Sequence, residues 1–275
     1  MRIDKHETES SKEIRLSLMS QHYFATSARS AVGLVRSGNE DSALASPRLI
    51  AVADGMGGHA AGEVASKVAI EALAGLANVL NDSEMDADSK EDLLLGVVQE
   101  IDDELATRTK SNPEYSGMGT TLTALFLNGS DAELLHVGDS RCYYIKKEKI
   151  EQLSHDHTVM QELLDQGRLS PDEVADHPQR SLLTQVLMGE AGIHPMLLVK
   201  SVKVGDRFLI CSDGLSSVLS ESEINKIIKS GGDLISNLLA AVREKGAPDN
   251  VTIILSEVVE AVIATPLEKF GAARG

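Results

Sequence analysis

Four short apolar runs in this chain each end or begin at an aspartate, and this recurrence constrains the possible folds more than any other feature. Leu49-Ile50-Ala51-Val52-Ala53 runs into Asp54, Leu134-Leu135-His136-Val137-Gly138 into Asp139, and Phe208-Leu209-Ile210-Cys211-Ser212 into Asp213. Asp249-Asn250 instead precedes Val251-Thr252-Ile253-Ile254-Leu255. Short continuous apolar runs bounded by turn residues are buried strands. Antiparallel neighbours set the end of one strand beside the start of the next. Four aspartates therefore have a route to one edge of a sheet. A single strand-Asp-Gly junction is an ordinary exit from a sheet; the repetition carries the argument. Asp54 leads into Gly55-Met56-Gly57-Gly58-His59, where glycines let the backbone turn sharply and approach a ligand.

The remaining pattern fills in the layers. Residues 1–22 are polar and charged and read as an extension. Residues 23–36 are strand-like, centred on Ala31-Val32-Gly33-Leu34-Val35, and end at the turn Ser37-Gly38-Asn39. Arg36 and Glu40 flank that turn. They form either a surface ion pair of little worth or a guanidinium and a carboxylate brought beside Asp54. Residues 61–80 carry Val64, Val68, Leu76 and Leu80 at helical spacing. A second helix carries Leu94, Val97, Val98, Ile101 and Leu105 and stops at Asn112-Pro113. Residues 120–145 meander through local turns to a polar tip, Lys146-Lys147-Glu148-Lys149. Residues 154–195 form a long, weakly periodic insertion of the kind that carries function or moves. His155, Asp156 and His157 open it. Adjacent strand positions point to opposite faces, so the trio reads as a turn and helix cap, not a ligand set. Strands at 196–203 and 207–212, helices at 221–229 and 233–245, and a strand at 251–258 complete a folded region of 23–260. Residues 261–275 read as a loose tail. Two helix pairs with roughly eight to ten short strands predict an α+β fold, two stacked antiparallel sheets each covered by helices on its outer face.

Composition excludes several functions. With 42 acidic against 26 basic residues and a net charge of −16, the chain is not expected to bind nucleic acid, which needs clustered cations. Cys142 and Cys211 both fall in apolar runs and read as buried thiols, which fits a cytoplasmic setting. No apolar stretch reaches membrane-spanning length, and residues 1–22 lack the apolar core of a secretory signal.

Glu40, Asp54, Asp139, Asp213 and Asp249 offer only carboxylates, hard ligands that select Mg²⁺ or Mn²⁺ over Zn²⁺ or Cu. Gathered bare, they would repel, so either their pKa values rise or divalent cations neutralise them. Two cations sharing Asp54 would form a site that makes hydroxide from water and steadies in-line displacement at phosphorus. Arg36 would grip the phosphate with its planar fork. The expectation is a metal-assisted phosphomonoester hydrolase with no covalent intermediate.

Arg36-x-x-x-Glu40-Asp41, Asp54-Gly55-Met56-Gly57-Gly58-His59, Gly119-Thr120-Thr121, His136-Val137-Gly138-Asp139-Ser140-Arg141, Ser212-Asp213-Gly214 and Asp249-Asn250-Val251-Thr252 together resemble the metal-dependent protein phosphatases of the 2C type, in that family's order. The Gly-Met-Gly-Gly-His loop is similar to the bacterial branch. The resemblance implies a four-layer αββα sandwich and a phosphoserine/phosphothreonine protein phosphatase acting in signal transduction. In it Asp54 bridges two Mn²⁺ or Mg²⁺ ions, the Gly55 carbonyl completes one, and the bridged water attacks phosphorus. Asp213 and Asp249 bind the first metal and Glu40 the second, largely through water. Asp139, with Asp213, supports a third metal in some members, with Ser181 close by. Arg36 binds the substrate phosphate, and 154–195 corresponds to a flap beside the cleft. Met56 stands where many eukaryotic relatives carry a general-acid histidine. That leaves His59 or a metal-bound water to protonate the leaving oxygen. The implied partners are phosphorylated proteins, including a Ser/Thr kinase or its targets. Two other readings are a non-catalytic binding module on the same fold and a nucleotide loop at 55–58. The first is disfavoured because no metal acid is missing. The second lacks both the P-loop Lys-Ser/Thr and the GxGxxG pattern.

Overall fold

Two antiparallel sheets stack face to face, and the acids sit where their strand ends meet. The computed structural model describes residues 22–57, 61–80, 85–147, 149–170, 173, 182–260 and 266–274. In chain order it shows β1 (Tyr23–Ala31), β2 (Asp41–Ala45), β3 (Leu49–Met56), α1 (Ala61–Leu80), α2 (Ala87–Ser111), β4 (Gly119–Thr120), β5 (Leu122–Asn128), β6 (Asp131–Val137), β7 (Arg141–Lys146) and β8 (Lys149–Gln152). There follow α3 (Val159–Asp165), β9 (Met196–Ser201), β10 (Arg207–Cys211), α4 (Asp213–Ser216), α5 (Glu221–Ser230), α6 (Leu234–Glu244), β11 (Val251–Val259) and β12 (Glu268–Gly271). One sheet has the order β1-β11-β10-β7-β8; the other runs β12-β2-β3-β5-β6-β9, with β4 paired to β3.

Strand periodicity sorts the side chains into three cores. Phe24, Ile50, Val52, Leu125, Leu134, Phe208, Ile210 and Ile254 fill the space between the sheets. On the far side of the second sheet, Ala51, Ala53, Leu122 and Leu135 pack against Ile70 and Leu73 of α1 and Leu94 and Ile101 of α2. On the far side of the first sheet, Tyr143, Leu209 and Ile253 pack against Ile224 and Ile228 of α5 and Leu238 and Val242 of α6. Residues i and i+1 of one strand thus feed different cores. The result is helix, sheet, sheet, helix, as the resemblance implies. With Trp absent and aromatics at 3%, these cores rest on Leu, Ile, Val and Ala.

Two expectations are corrected, and one strand is added. The first strand stops at Ala31 and does not centre on 31–35. Gly33 takes a positive φ of 84°, and a Cβ there would lie 2.2 Å from the Asp249 carbonyl oxygen. The chain turns away at this point, and Leu34 N–H donates to the Ala247 carbonyl at 2.9 Å. Leu34 and Val35 are left 55% and 71% exposed, so the apolar run was a loop. The stretch Asp41–Ala45 is a separate strand, buried on both faces and therefore without the alternation that marks a half-buried strand. The tail is not loose throughout, because β12 pairs antiparallel with β2, Glu268 opposite Ala45 and Gly271 opposite Ser42. Ala273, just beyond, is buried in the helix-covered core.

Candidate active site

A cavity of about 590 Å³ opens at the edge where β3, β10 and β11 end or begin, lined by Arg36, Glu40, Asp54, Gly55, Met56, Gly57, Thr121, Asp139, Leu182, Leu183, Val186, Asp213 and Asp249. Every acid singled out from the sequence therefore faces one space, together with Arg36 and Gly55. His59 and Ser181 lie outside the described residues. So does part of the insertion, of which Leu182, Leu183 and Val186 contribute the apolar wall.

The motif residues between the acids explain how they are held. Thr121 Oγ1 accepts the Asp54 N–H at 3.0 Å, Thr121 N–H donates to the Asp54 carbonyl at 2.9 Å, and Thr120 Oγ1 donates to that carbonyl at 3.0 Å. Thr121 Oγ1 also pairs with Ser140 Oγ at 2.8 Å. The Gly-Thr-Thr motif thus ties Asp54 to the turn that carries Asp139. Asn250 does the same for the other rim. Its Nδ2 donates to the carbonyls of Val32 and Gly38, both at 2.8 Å, and its Oδ1 accepts the Glu40 N–H at 2.8 Å. Nearly all of the amide's hydrogen-bonding capacity is spent pinning the Arg36–Glu40 loop over Asp249.

Burial and crowding set the electrostatics. Asp54 is pushed well above the usual carboxylate range, first by burial and then by Asp41, Asp213, Asp139 and Asp249. Asp139 is raised to about 7, by burial first and then by Asp213. Asp213 is raised by burial and by Asp249, an effect partly offset by a hydrogen bond with Asp54. Burial also raises Glu40, against the pull of Arg36. Arg36 Nη2 donates to Asp249 Oδ2 at 2.7 Å. Among the described residues, no three acid, histidine or cysteine groups stand close enough to close on one ion as placed, and Asp249 is turned toward the guanidinium. The set still fits a hard divalent cation. Its donors are all oxygen, and each raised pKa reports a charge that the fold leaves uncompensated.

Sequence reasoning quoted Asp41 in a motif but gave it no role. It is 1% exposed and stands directly opposite Asp54 across the β2–β3 pair. Ser212 Oγ donates to its Oδ2 at 2.8 Å, and Thr252 also hydrogen-bonds the carboxylate. Burial is the main cause of a pKa raised to about 7. The Glu-Asp doublet was the available signal. Its second member was passed over because the partners Ser212 and Thr252 come from the other sheet. The side chains of the His155–His157 trio engage protein groups, with His155 Nε2 against Asp165 Oδ2 at 2.7 Å. Arg141 makes a three-contact fork to Asp156, the shortest at 2.6 Å. His157 Nδ1 accepts the Gly138 N–H at 3.1 Å, and Thr158 caps α3.

Asp102, on α2 and 2% exposed, was also missed. Its carboxylate accepts the N–H groups of Met188, Gly189 and Ala191 at 3.0, 2.7 and 3.0 Å. It thereby fastens the cleft-lining end of the insertion to a helix. Hydrogen bonds to a charged acceptor contribute about 1.5–3 kcal/mol. Asp102→Ala is therefore expected to speed hydrogen exchange at those three amides at least about tenfold, with the sheet amides unchanged. Equal protection in the variant and the native protein would show that the clamp is idle.

The geometry agrees with what comparison finds. A family profile for Protein phosphatase 2C matches residues 38–252. The serine/threonine protein phosphatase PstP of Mycobacterium tuberculosis is 42% identical over 235 residues, 85% of this chain. The chain spans 45% of that relative's length. The serine/threonine phosphatase stp of Listeria monocytogenes is 33% identical over 212 residues, 76% of this chain and 84% of the relative. The crystal structure of the PstP catalytic domain with two manganese ions superposes with a TM-score of 0.78 at 38% identity, covering 86% of this chain and 99% of that one. The Mycobacterium tuberculosis PstP/Ppp structure at 40% identity gives the same TM-score of 0.78 and covers 86% and 98%. Its motifs, its sheets and these matches agree: the chain belongs to the protein phosphatase 2C family.

Proposed function

We propose that this protein is a Mn²⁺- or Mg²⁺-dependent phosphoserine/phosphothreonine protein phosphatase. The observation that carries the reading is the convergence of Glu40, Asp54, Asp139, Asp213, Asp249 and Arg36 on one cavity. Two cations are assigned to Asp54, the Gly55 carbonyl, Asp213, Asp249 and Glu40, and a third to Asp139 with Asp213. When bound, such ions acidify a water and neutralise phosphate charge. Arg36, half-exposed on the rim, exchanges its Asp249 contact for the phosphate oxygens and orients the ester. Leu182, Leu183 and Val186 shield one side from solvent. The one hydroxyl among the described lining residues, Thr121, is 1% exposed and committed to Asp54 and Ser140. That supports direct attack by water without a phosphoenzyme. Proton delivery to the leaving serine or threonine oxygen falls to His59 or to a water. Phosphorylated proteins, among them a Ser/Thr kinase or its targets, are the proposed substrates. No helix among the described residues is long and apolar enough to cross a membrane. The retained acids argue against a non-catalytic module.

The test is phosphate release from a phosphothreonine peptide with Mn²⁺, which should stop on chelation. Arg36→Ala is expected to lower kcat/KM about a hundredfold, in the range set by losing one charged donor to the reacting group. Turnover that persists without divalent metal, or that survives Arg36→Ala intact, would overturn the assignment.

A further inference from the structure

A second open groove, of about 1170 Å³, lies away from the acids and is lined by Lys146, Lys147, Lys149, Ile150, Glu151, Arg207, Ile228, Lys229 and Gly231. Its charge is opposite to that of the chain, whose net charge is −16. Five cations converge from three places: the β7–β8 hairpin, the start of β10 and the end of α5. Among the described residues, none of the five has an ion-pair partner. Glu151 is engaged by Lys200 at 3.7 Å. Glu148, between Lys147 and Lys149 in the chain, lies outside the described residues. Lysines on an edge strand such as β8 would by themselves serve only to repel other strands. That role does not require Arg207 and Lys229 to face the same hollow, nor Ile150 and Ile228 to give it an apolar floor.

We propose that this groove docks an acidic segment of the protein substrate, remote from the phosphorylated residue. This rests on the reading of the protein as a protein phosphatase. The groove's position is set by the strands. β7 leaves the Asp139 turn at Arg141 and reaches the groove at Lys146, and β10 leaves it at Arg207 and reaches Asp213 after Cys211. Five or six strand residues separate the two sites, roughly 17–20 Å. A segment held there raises the local concentration of the phosphoester at the cavity without touching the chemistry. A narrow acidic peptide suits the groove better than a broad polyanion. A membrane or a duplex would also meet the rest of a chain whose net charge is −16, and repulsion acts over a screening length of about 8 Å.

The experiment uses a phosphothreonine peptide joined through a Gly/Ser linker to a run of glutamates. About fifteen linker residues span the distance. The comparison substrates are the same peptide without the glutamates and p-nitrophenyl phosphate. The acid-tailed peptide is expected to show a KM about tenfold lower, with kcat unchanged. Lys147→Gln/Lys149→Gln/Lys229→Gln should erase that difference and leave p-nitrophenyl phosphate turnover alone; these exposed neutral substitutions leave the core untouched. Fluorescence anisotropy with the unphosphorylated glutamate peptide reads binding without catalysis. Binding that the triple variant and high salt both abolish supports the groove even if no phosphopeptide is turned over, an outcome that would sink only the phosphatase reading. Equal KM values for tailed and untailed peptides on the native protein would overturn the proposal. So would lysine-dependent retention on phosphatidylserine vesicles or duplex DNA without peptide binding.

Discussion

Asp54→Ala is expected to cut turnover of a phosphothreonine peptide about a thousandfold, without making the metal-free protein less stable. The first half follows from position. Asp54 lies near the end of β3 in the middle of the acid set, and on the proposed assignment its loss would remove a metal ligand and several kcal/mol of transition-state stabilisation. About 4 kcal/mol corresponds to a factor of a thousand. The second half follows from its surroundings. Four aspartates raise its pKa above what burial alone does, so its charge strains the metal-free fold. An acid kept for structure behaves in the opposite way, since its removal lowers the melting temperature and spares turnover. Phosphate release with Mn²⁺, together with thermal melts in chelator, separates the two. Wild-type turnover in the variant would show that the ligand assignment is wrong.

The metal-free protein is also expected to melt at a lower temperature at pH 8 than at pH 6.5, by about 2–5 °C. Asp41 and Asp139 have folded pKa values of about 7 against 3.8 as the reference. Between those values the folded state binds more protons than the unfolded one, so stability falls as pH rises. The loss runs through pH 7, and the raised pKa of Asp54 contributes in the same direction. His136 works the other way. Burial and the neighbouring His157 lower it to about 3 from 6.5, so its contribution grows as pH rises and is complete near pH 7. Starting at pH 6.5 keeps most of that gain out of the comparison. For a chain of this size 1 kcal/mol is about 2–4 °C. Saturating Mn²⁺ should reverse the trend, because the cation competes with the same protons and binds more tightly at high pH. Calorimetry at the two pH values, with chelator and with Mn²⁺, checks both signs. A melting temperature that rises from pH 6.5 to 8 in chelator would mean that the acids are not strained.

Asp54, Asp139 and Asp213 were legible because an apolar run stops at each carboxylate, Asp249 because one begins just after it, and Glu40 because it closes a turn cluster. What was not legible depends on partners far along the chain. Asp102 grips amides 86 to 89 residues later, and Asn250 reaches carbonyls more than 200 residues earlier. No window of sequence joins such pairs. Two strand errors have a different cause. The Asp41–Ala45 strand is buried on both faces and gave no alternation, whereas 32–35 is apolar yet exposed, pinned by Asn250 and by the Ala247 carbonyl. Hydrophobic pattern reports burial, and at this rim a polar side chain fixes the backbone in its place. The helices were read well because each covers a sheet with one face, which is the condition that makes spacing informative.

The pairing of β12 with β2 reaches into the catalytic cleft. Gly271 lies so close to the Asp41 carbonyl that a Cβ there would stand 2.1 Å from its oxygen, and Asp41 is the buried neighbour of Asp54. A protein cut after residue 260 would bare the edge of β2 from Ser42 to Ala45, inviting association with other chains. It would also free the backbone beside Asp41, whose carbonyl Gly271 now abuts. Changes at the C-terminal end would then register in catalysis, through a strand that contributes no residue to the cleft lining.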